Sequence, residues 1–361
     1  MGRGAIAILS SENLVHNITI IKSLAPSKSI IAMVKANAYG HGIRSTAQRI
    51  DKHVDSLGVA SIEEGLALRK IGIKSPIVLI EGVFEPDELL IASCQNFHVV
   101  FHHPTQLEWL KGLSLPLPLT AWLKIDSGLG RLGFAINDAQ SAFDILKNCK
   151  YVHKPIGLMT QLSCADNPGH YLNEMQLQLF NELAKAWEGP KSLANSATAF
   201  AFPEAQYDVI RPGLFLYGVS PFKGSKASDY GLKPVMTLQT RLISVRKREA
   251  GSFIGYGATH ECKEPTYVGI IAIGYGDGYL RALPPKTPVL VNGEKCHLVG
   301  RISMDMAAID LSECKDAVVG DPVVLWGEGL PIEEVIEGSS LIPNELLTGV
   351  QSRVKFHWTM G

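Results

Sequence analysis

A rhythm of short apolar segments constrains this chain more than any other feature. They cover residues 30–34, 56–62, 76–81, 97–102, 121–126, 155–161, 192–196 and 209–217. Most intervals carry apolar residues at helical spacing, as in Asn173-Glu-Met-Gln-Leu-Gln-Leu-Phe-Asn-Glu-Leu-Ala-Lys-Ala-Trp187. Strands that are apolar from end to end are buried on both faces, the habit of parallel sheets covered by helices. Eight such units predict an α/β fold built on a parallel (β/α)8 barrel of the TIM type. A doubly wound open sheet is the competing arrangement, but the Gly-x-Gly-x-x-Gly expected after its first strand is missing from residues 35–42.

At 361 residues the chain exceeds what one hydrophobic core supports, so two domains are expected. Composition shifts at Pro221-Phe-Lys-Gly-Ser-Lys-Ala-Ser-Asp-Tyr230, which reads as a linker. Beyond it, residues 235–245, 267–273, 288–291 and 317–326 alternate or run apolar between glycine turns, and only 331–337 and 345–350 read as helical. The expected division is a barrel over residues 1–225 and a C-terminal, mostly β domain over 226–361, with residues 1–10 an opening strand able to pair with the β domain.

A net charge of −1 leaves no electrostatic footprint for nucleic acid or an anionic membrane, so the expected partner is a small molecule. The first residues lack the apolar core of a signal peptide and no run approaches a membrane span, which predicts a cytoplasmic protein. Six cysteines are scattered without a Cys-x-x-Cys pair and read as reduced thiols. His98 and His102 share a face of a predicted strand but lack cysteine or carboxylate companions, so no metal is expected.

In a barrel the strand ends share one mouth, and polar residues that end apolar strands are candidates for chemistry. Lys124, Asp126, Arg131, Gln161, Ser196 and Arg211 qualify by position. Lys35 stands out among such residues, because Ile30-Ile-Ala-Met-Val runs straight into it and Ala-Asn-Ala-Tyr-Gly-His-Gly follows. A lysine that loses hydration there becomes a better nucleophile toward a carbonyl, which points to Schiff-base chemistry. The plainer alternative is a lysine that snorkels from a strand end to water.

The whole string Val34-Lys-Ala-Asn-Ala-Tyr-Gly-His-Gly42 closely resembles the pyridoxal phosphate attachment motif of the bacterial alanine racemases, and further matches extend over nearly the whole chain. The resemblance implies that Lys35 binds the cofactor aldehyde and that Tyr39 contacts its phosphate. Leu123-Lys124-Ile-Asp126-Ser-Gly-Leu-Gly-Arg131-Leu-Gly-Phe134 resembles the segment whose arginine approaches the phenolic oxygen and the substrate, held by a lysine that is often carbamylated. Those roles fall to Arg131 and Lys124. Ala194-Asn195-Ser196-Ala197 and Arg211-Pro-Gly213-Leu214-Phe-Leu-Tyr-Gly218 resemble the phosphate site, with the amides of Gly213 and Leu214 as donors and Arg211 facing the pyridine nitrogen.

In the C-terminal part, Ile254-Gly-Tyr256-Gly-Ala-Thr259, Ile273-Gly-Tyr275-Gly-Asp-Gly-Tyr-Leu-Arg281 and Gly300-Arg-Ile-Ser-Met304-Asp305 also resemble family motifs. The resemblance implies that Tyr256 is the second catalytic base, that Tyr275 narrows the substrate entrance, and that Met304 and Asp305 lie beside the substrate, all reaching the barrel mouth of a partner subunit. Taken as bare sequence, Tyr256 and Tyr275 read as strand tyrosines.

The implied activity is interconversion of L- and D-alanine by two bases, Lys35 and Tyr256, in a homodimer with shared sites, supplying D-alanine for peptidoglycan. A tyrosine base must be ionised, which for an ordinary phenol at neutral pH costs about 4 kcal/mol, so cationic neighbours are needed. A guanidinium keeps its proton, so Arg211 would leave the pyridine nitrogen unprotonated and favour simple proton return over transamination. Racemases of serine or of a basic amino acid, a decarboxylase of the same architecture and a non-catalytic pyridoxal phosphate carrier are the alternatives. The chain departs from the family at Gln161 and Ser192, where histidines are usual, and at Ser352, where some members have tyrosine.

Overall fold

The computed structural model describes residues 4–359, which divide into two compact units. One comprises residues 18–216 with 221–223. The other comprises the chain up to Asn17, Tyr217–Ser220 and everything from Gly224 onward. The first strand, β1 (Ile6–Ser10), belongs to the second unit.

In the N-terminal unit the strands are β2 (Ser29–Met33), β3 (Ser56–Val59), β4 (Ile77–Leu79), β5 (Phe97–Phe101), β6 (Thr120–Lys124), β7 (Gly157–Met159), β8 (Lys191–Ser192) and β9 (Val209–Ile210). They pair in parallel in the order β8-β7-β6-β5-β4-β3-β2-β9. A parallel bridge between Asn195 and Arg211, with the Arg211 amide donating to the Ala194 carbonyl at 2.8 Å, joins the two ends and closes the barrel. The expected fold class is the observed one. The last segment is shorter than its apolar run suggests. Only Val209–Ile210 is strand, because Pro212 has no amide to extend the ladder and Leu214–Tyr217 turns into a 3-10 helix.

Ile31, Met33, Val78, Val100, Trp122, Met159 and Val209 fill the barrel, and Tyr39 and Ile80 pack against them. The filling is a matter of large against small. Trp122 lies over Gly157 on the neighbouring strand, and a Cβ on that glycine would run into the indole ring.

The C-terminal unit contains β10 (Met236–Arg248), β11 (Phe253–Ile254), β12 (His260–Glu261), β13 (Thr266–Ile271), β14 (Pro288–Val291), β15 (Glu294–Val299), β16 (Ala307–Asp310), β17 (Pro322–Trp326) and β18 (Lys355–Thr359). The long β10 pairs with β1 and β17 through its first half and with β13 through its second, with a register shift between Leu242 and Ser244. The antiparallel circuit β10-β13-β16-β15-β14-β17 thereby returns on itself, and β1 and β18 extend it. Among the described residues no helix is long and apolar enough to cross a membrane.

Gly157→Ala should force the Trp122 ring from its place and lower stability by about 1–3 kcal/mol, the usual effect of overpacking a filled core. Urea unfolding followed by tryptophan fluorescence reads this as an earlier midpoint, and an unchanged midpoint would show that the barrel interior has slack.

Candidate active site

The chain leaves β2 through an unusual turn. Ala36, Asn37, Ala38 and Tyr39 all have φ between 51° and 56°, a left-handed turn immediately after Lys35. Non-glycine residues occupy that region only at a steric penalty, and small side chains and asparagine bear it best. Backbone and side chains lock it. The Ala36 amide donates to Glu64 Oε1 at 2.7 Å, and the Ile43 amide to Asn37 Oδ1 at 2.9 Å. His41 Nδ1 sits 3.1 Å from the Ala38 carbonyl and 2.9 Å from that of Tyr39. Burial pushes His41 down to about 4, so it is a neutral imidazole, and with two carbonyls facing it Nδ1 carries the hydrogen. The Ala-Asn-Ala and Gly-His-Gly of the motif are thus accounted for by the turn that carries Lys35 and Tyr39.

Because the strands are parallel, their C-terminal ends share one mouth, and Lys35, Glu81, Lys124, Thr160, Ser192 and Arg211 all lie at such ends. Lys35 Nζ pairs with Glu81 Oε1 at 3.2 Å; the two side chains are 33 % and 36 % exposed, so the pair is open to competition from water or a ligand. Lys124 is buried. Its burial, then the charges of Arg211, Arg131 and Lys35, push its amine down to about 8, with Glu81 acting the other way. Arg211 is buried without a carboxylate. Nη1 donates to Ser192 Oγ at 2.6 Å, and Nη2 to the carbonyls of Thr160 at 2.7 Å and Leu193 at 3.2 Å. Burial and then Arg131 lower it to about 10, which leaves it protonated at neutral pH.

Arg131 is exposed on a loop shaped by Asp126, whose Oδ1 accepts the amides of Gly128 at 2.9 Å and Gly130 at 3.1 Å. Gln161 follows β7 and is half-buried. Asn195 spends its Oδ1 on the Thr198 amide at 2.9 Å, capping the short helix Ser196–Ala201. Ser196 Oγ accepts the amide of Gly213 at 2.9 Å and that of Phe215 at 3.4 Å, which leaves its own hydrogen to donate elsewhere. Gly213 is hemmed in, since a Cβ there would stand 2.5 Å from Tyr39 Oη. Tyr39, Ser196 and Gly213 therefore meet, beside Leu214, and burial raises the Tyr39 phenol to about 12, keeping it a neutral hydrogen-bond donor.

These residues fit pyridoxal phosphate. Four cations gather where Glu81 alone opposes them in acting on Lys124, an arrangement that calls for an anionic guest. One of the four, Lys35, is a primary amine partly open to solvent, and Gly213, the Ser196 hydroxyl and the Tyr39 hydroxyl meet in a polar cradle.

In the C-terminal unit the expected residues fall into two neighbouring turns and a third beside them. Tyr275 and Gly276 donate their amides to Ser303 at 3.1 Å and Met304 at 2.8 Å, and Arg353 joins Asp277 at 3.3 Å to Asp305 at 2.6 Å. Tyr275 and Met304 are exposed on this paired loop, Asp305 is half-buried, and Ser352, also exposed, precedes the arginine. Tyr256 is 72 % exposed in a 3-10 turn between Gly255 and Gly257, whose left-handed φ values of 75° and 74° need glycine. Neither tyrosine lies in a strand. Glu81, Thr160 and Arg353 were not singled out in the sequence; Glu81 was open to the same criterion as Lys124, a polar residue ending an apolar run.

Family models match both units: "Alanine racemase, N-terminal domain" over residues 9–221 and "Alanine racemase, C-terminal domain" over residues 235–358. The chain is 44% identical over 356 residues to the alanine racemase of Legionella pneumophila (strain Lens), covering 99% of this chain and 100% of that one. It is 42% identical to the biosynthetic alanine racemase of Escherichia coli O6:H1, with 98% of each covered. The crystal structure of the biosynthetic alanine racemase from Pseudomonas aeruginosa superposes with a TM-score of 0.96 at 39% identity, covering 99% of this chain and 100% of that one. With both units matched and the motif lysine seated at the mouth of the barrel, the chain belongs to the alanine racemase family.

Proposed function

We propose that the protein interconverts L- and D-alanine in the cytoplasm with pyridoxal phosphate held at the barrel mouth, as a homodimer in which each site combines Lys35 of one subunit with the partner subunit's Tyr256. The observation that carries the reading is the gathering of Lys35, Lys124, Arg131 and Arg211 in the barrel unit where Tyr39, Ser196 and Gly213 also meet. Pyridoxal phosphate, when bound, supplies an aldehyde that condenses with amines and a conjugated ring that draws electron density from the α-carbon.

The chain's own residues do the rest. The Ser196 hydroxyl, the Tyr39 hydroxyl and the Leu214 amide would hold the phosphate, with Asn195 fixing that loop and the Gly213 amide spent on Ser196 Oγ. Arg211 is held by three uncharged oxygens, so it would offer the pyridine nitrogen a fixed guanidinium that yields no proton. Arg131 directs its charge to the phenolic oxygen and the substrate carboxylate. Lys35 Nζ takes the α-hydrogen from one face while the partner's Tyr256 hydroxyl delivers a hydrogen to the other, and the reverse direction exchanges the two roles. Tyr275 and Met304 limit the size of the amino acid at the entrance, with Asp305 held by Arg353 beside them.

L-alanine incubated in deuterated water should acquire α-deuterium in both enantiomers. Carbon dioxide release, or exchange of serine or a basic amino acid in preference to alanine, would overturn the substrate assignment. Lys35→Ala should lose racemisation and shift the visible absorption of the bound cofactor, and an unchanged spectrum would refute the role given to Lys35.

Lys124 is the candidate for carbamylation. Addition of carbon dioxide to its neutral amine forms a carbamate and releases a proton, turning a cation into an anion beside Arg131. The neutral amine grows in as pH rises through about 8, so carbamylation should increase with bicarbonate and with pH over that range. Intact-protein mass spectrometry after trapping the carbamate reads this directly, and no added carbon dioxide on Lys124 at pH 9 would exclude it.

A further inference from the structure

Helix Tyr171–Lys185 turns Asn173, Gln176, Phe180 and Ala184 inward. The first two of these inward positions are polar, where a helix normally presents apolar side chains to its barrel. Asn173 Nδ2 donates to the carbonyls of Cys164 and Asn167, both at 3.0 Å, and so ties down the loop after β7. Gln176 does more. Its Oε1 accepts the Ser163 amide at 2.9 Å and the Ser163 hydroxyl at 2.8 Å, and its Nε2 faces Ser127 Oγ and the Gln161 carbonyl, each at 3.3 Å. All four hydrogen-bonding positions of the amide are used, and its orientation is fixed, since only nitrogen can face a carbonyl and only oxygen an amide hydrogen.

The direction of the chain onward is fixed as well. Thr160 Oγ1 donates its one hydrogen to the Ile125 carbonyl at 2.8 Å, so in its 2.9 Å contact with Ser127 it accepts. Ser127 therefore donates to Thr160 and accepts from Gln176. The buried sequence runs one way, from Gln176 through Ser127 and Thr160 to the backbone of Ile125. Its two middle members bear on the two arginines of the site. Ser127 and Gly128 open the loop that carries Arg131, and a Cβ on Gly128 would lie 3.3 Å from Gln176 Cγ. Thr160 lends its backbone carbonyl to Arg211.

We infer that Gln176 is a positioning residue for the racemisation reaction: through Ser127, Thr160 and the 160–163 loop it sets Arg131 and Arg211 against the cofactor and substrate. The inference rests on the function proposed above. Gln176→Glu keeps the shape but puts an oxygen against the Gln161 carbonyl and removes the donor to Ser127, whereas Gln176→Met keeps the bulk and removes every hydrogen bond.

The test uses pyridoxal phosphate-loaded enzyme that circular dichroism shows to be folded. Displacement of both arginines should lower kcat/KM about a hundredfold in Gln176→Glu and about tenfold in Gln176→Met, the scale set by misplacing groups at a reacting centre. The KM for alanine should rise, the dissociation constant for pyridoxal phosphate should rise, and the bound cofactor's absorption should shift. Ser127→Ala should show the same signature more weakly, and the Ser127→Ala/Gln176→Met double variant should lose no more than Gln176→Met alone, because both act on one chain of contacts. A purely structural glutamine would lower the folded fraction and leave KM, cofactor affinity and spectrum of the folded enzyme at wild-type values; that result overturns the inference. If the Gln176 variants do not fold, Ser127→Ala decides by the same readouts. Absence of racemisation in wild type is a separate outcome, which would overturn the functional reading itself.

Discussion

The site depends on a buried arginine that no carboxylate among the described residues neutralises. A guanidinium in a dry interior is costly unless its hydrogens are met, and Arg211 places three of its five N–H groups on a serine hydroxyl and two backbone carbonyls. Neutral acceptors satisfy the hydrogen bonds and leave the charge standing. Lys124 and Arg131 add to it, and burial, joined by the neighbouring cations, drives the Lys124 amine down to about 8. An interior so arranged favours an anion, and the phosphate, phenolate and carboxylate groups of a cofactor and its substrate are the anions that would complete it. The departure at Ser192 belongs to this logic. A hydroxyl that accepts from Arg211 at 2.6 Å and donates to the Val209 carbonyl at 2.7 Å does not titrate near neutral pH, whereas a histidine in that place would.

Strain is the second requirement. Four consecutive left-handed residues after Lys35, of which Ala36 and Asn37 are exposed, are held from both sides: Val34 is fully buried, His41 is neutral and locked to two carbonyls, and Glu64 takes the Ala36 amide. The turn brings Tyr39 back over Gly213, across the seam between β2 and β9, so the lysine and the phosphate cradle are positioned by one piece of backbone. A side chain at residue 213 would break that approach.

The barrel was legible because parallel strands buried on both faces write themselves as apolar runs, and the ends of those runs point to the mouth. Lys35, Lys124 and Arg211 could be picked out in this way. The C-terminal unit was less open to reading. β15, β16 and β18 carry exposed or charged residues in short runs, and β18 is defined by its parallel pairing with β1, at the other end of the sequence. The contact between Tyr39 and Gly213, the Lys35–Glu81 pair and the Gln176 chain were hidden for the same reason: each is made by residues dozens of positions apart, and only the closed barrel brings them together. Gln176 left one trace, a polar residue on the apolar face of a helix. The roles given to Tyr256, Tyr275, Met304 and Asp305 came from resemblance alone, since exposed turns carry no periodic signal.

The central proposal is that two surfaces of the same polypeptide, carrying Lys35 and Tyr256, meet in a site shared between subunits. Lys35→Ala and Tyr256→Phe proteins, each inactive alone, can be unfolded and refolded together and the mixed dimer isolated with two affinity tags. One of its sites then holds both defects and the other neither. The isolated mixed dimer should therefore show about half of wild-type activity per chain, and the unseparated mixture, in which random pairing makes about half of the dimers mixed, roughly a quarter. An isolated mixed dimer that remains inactive would place both bases within one subunit and contradict the account.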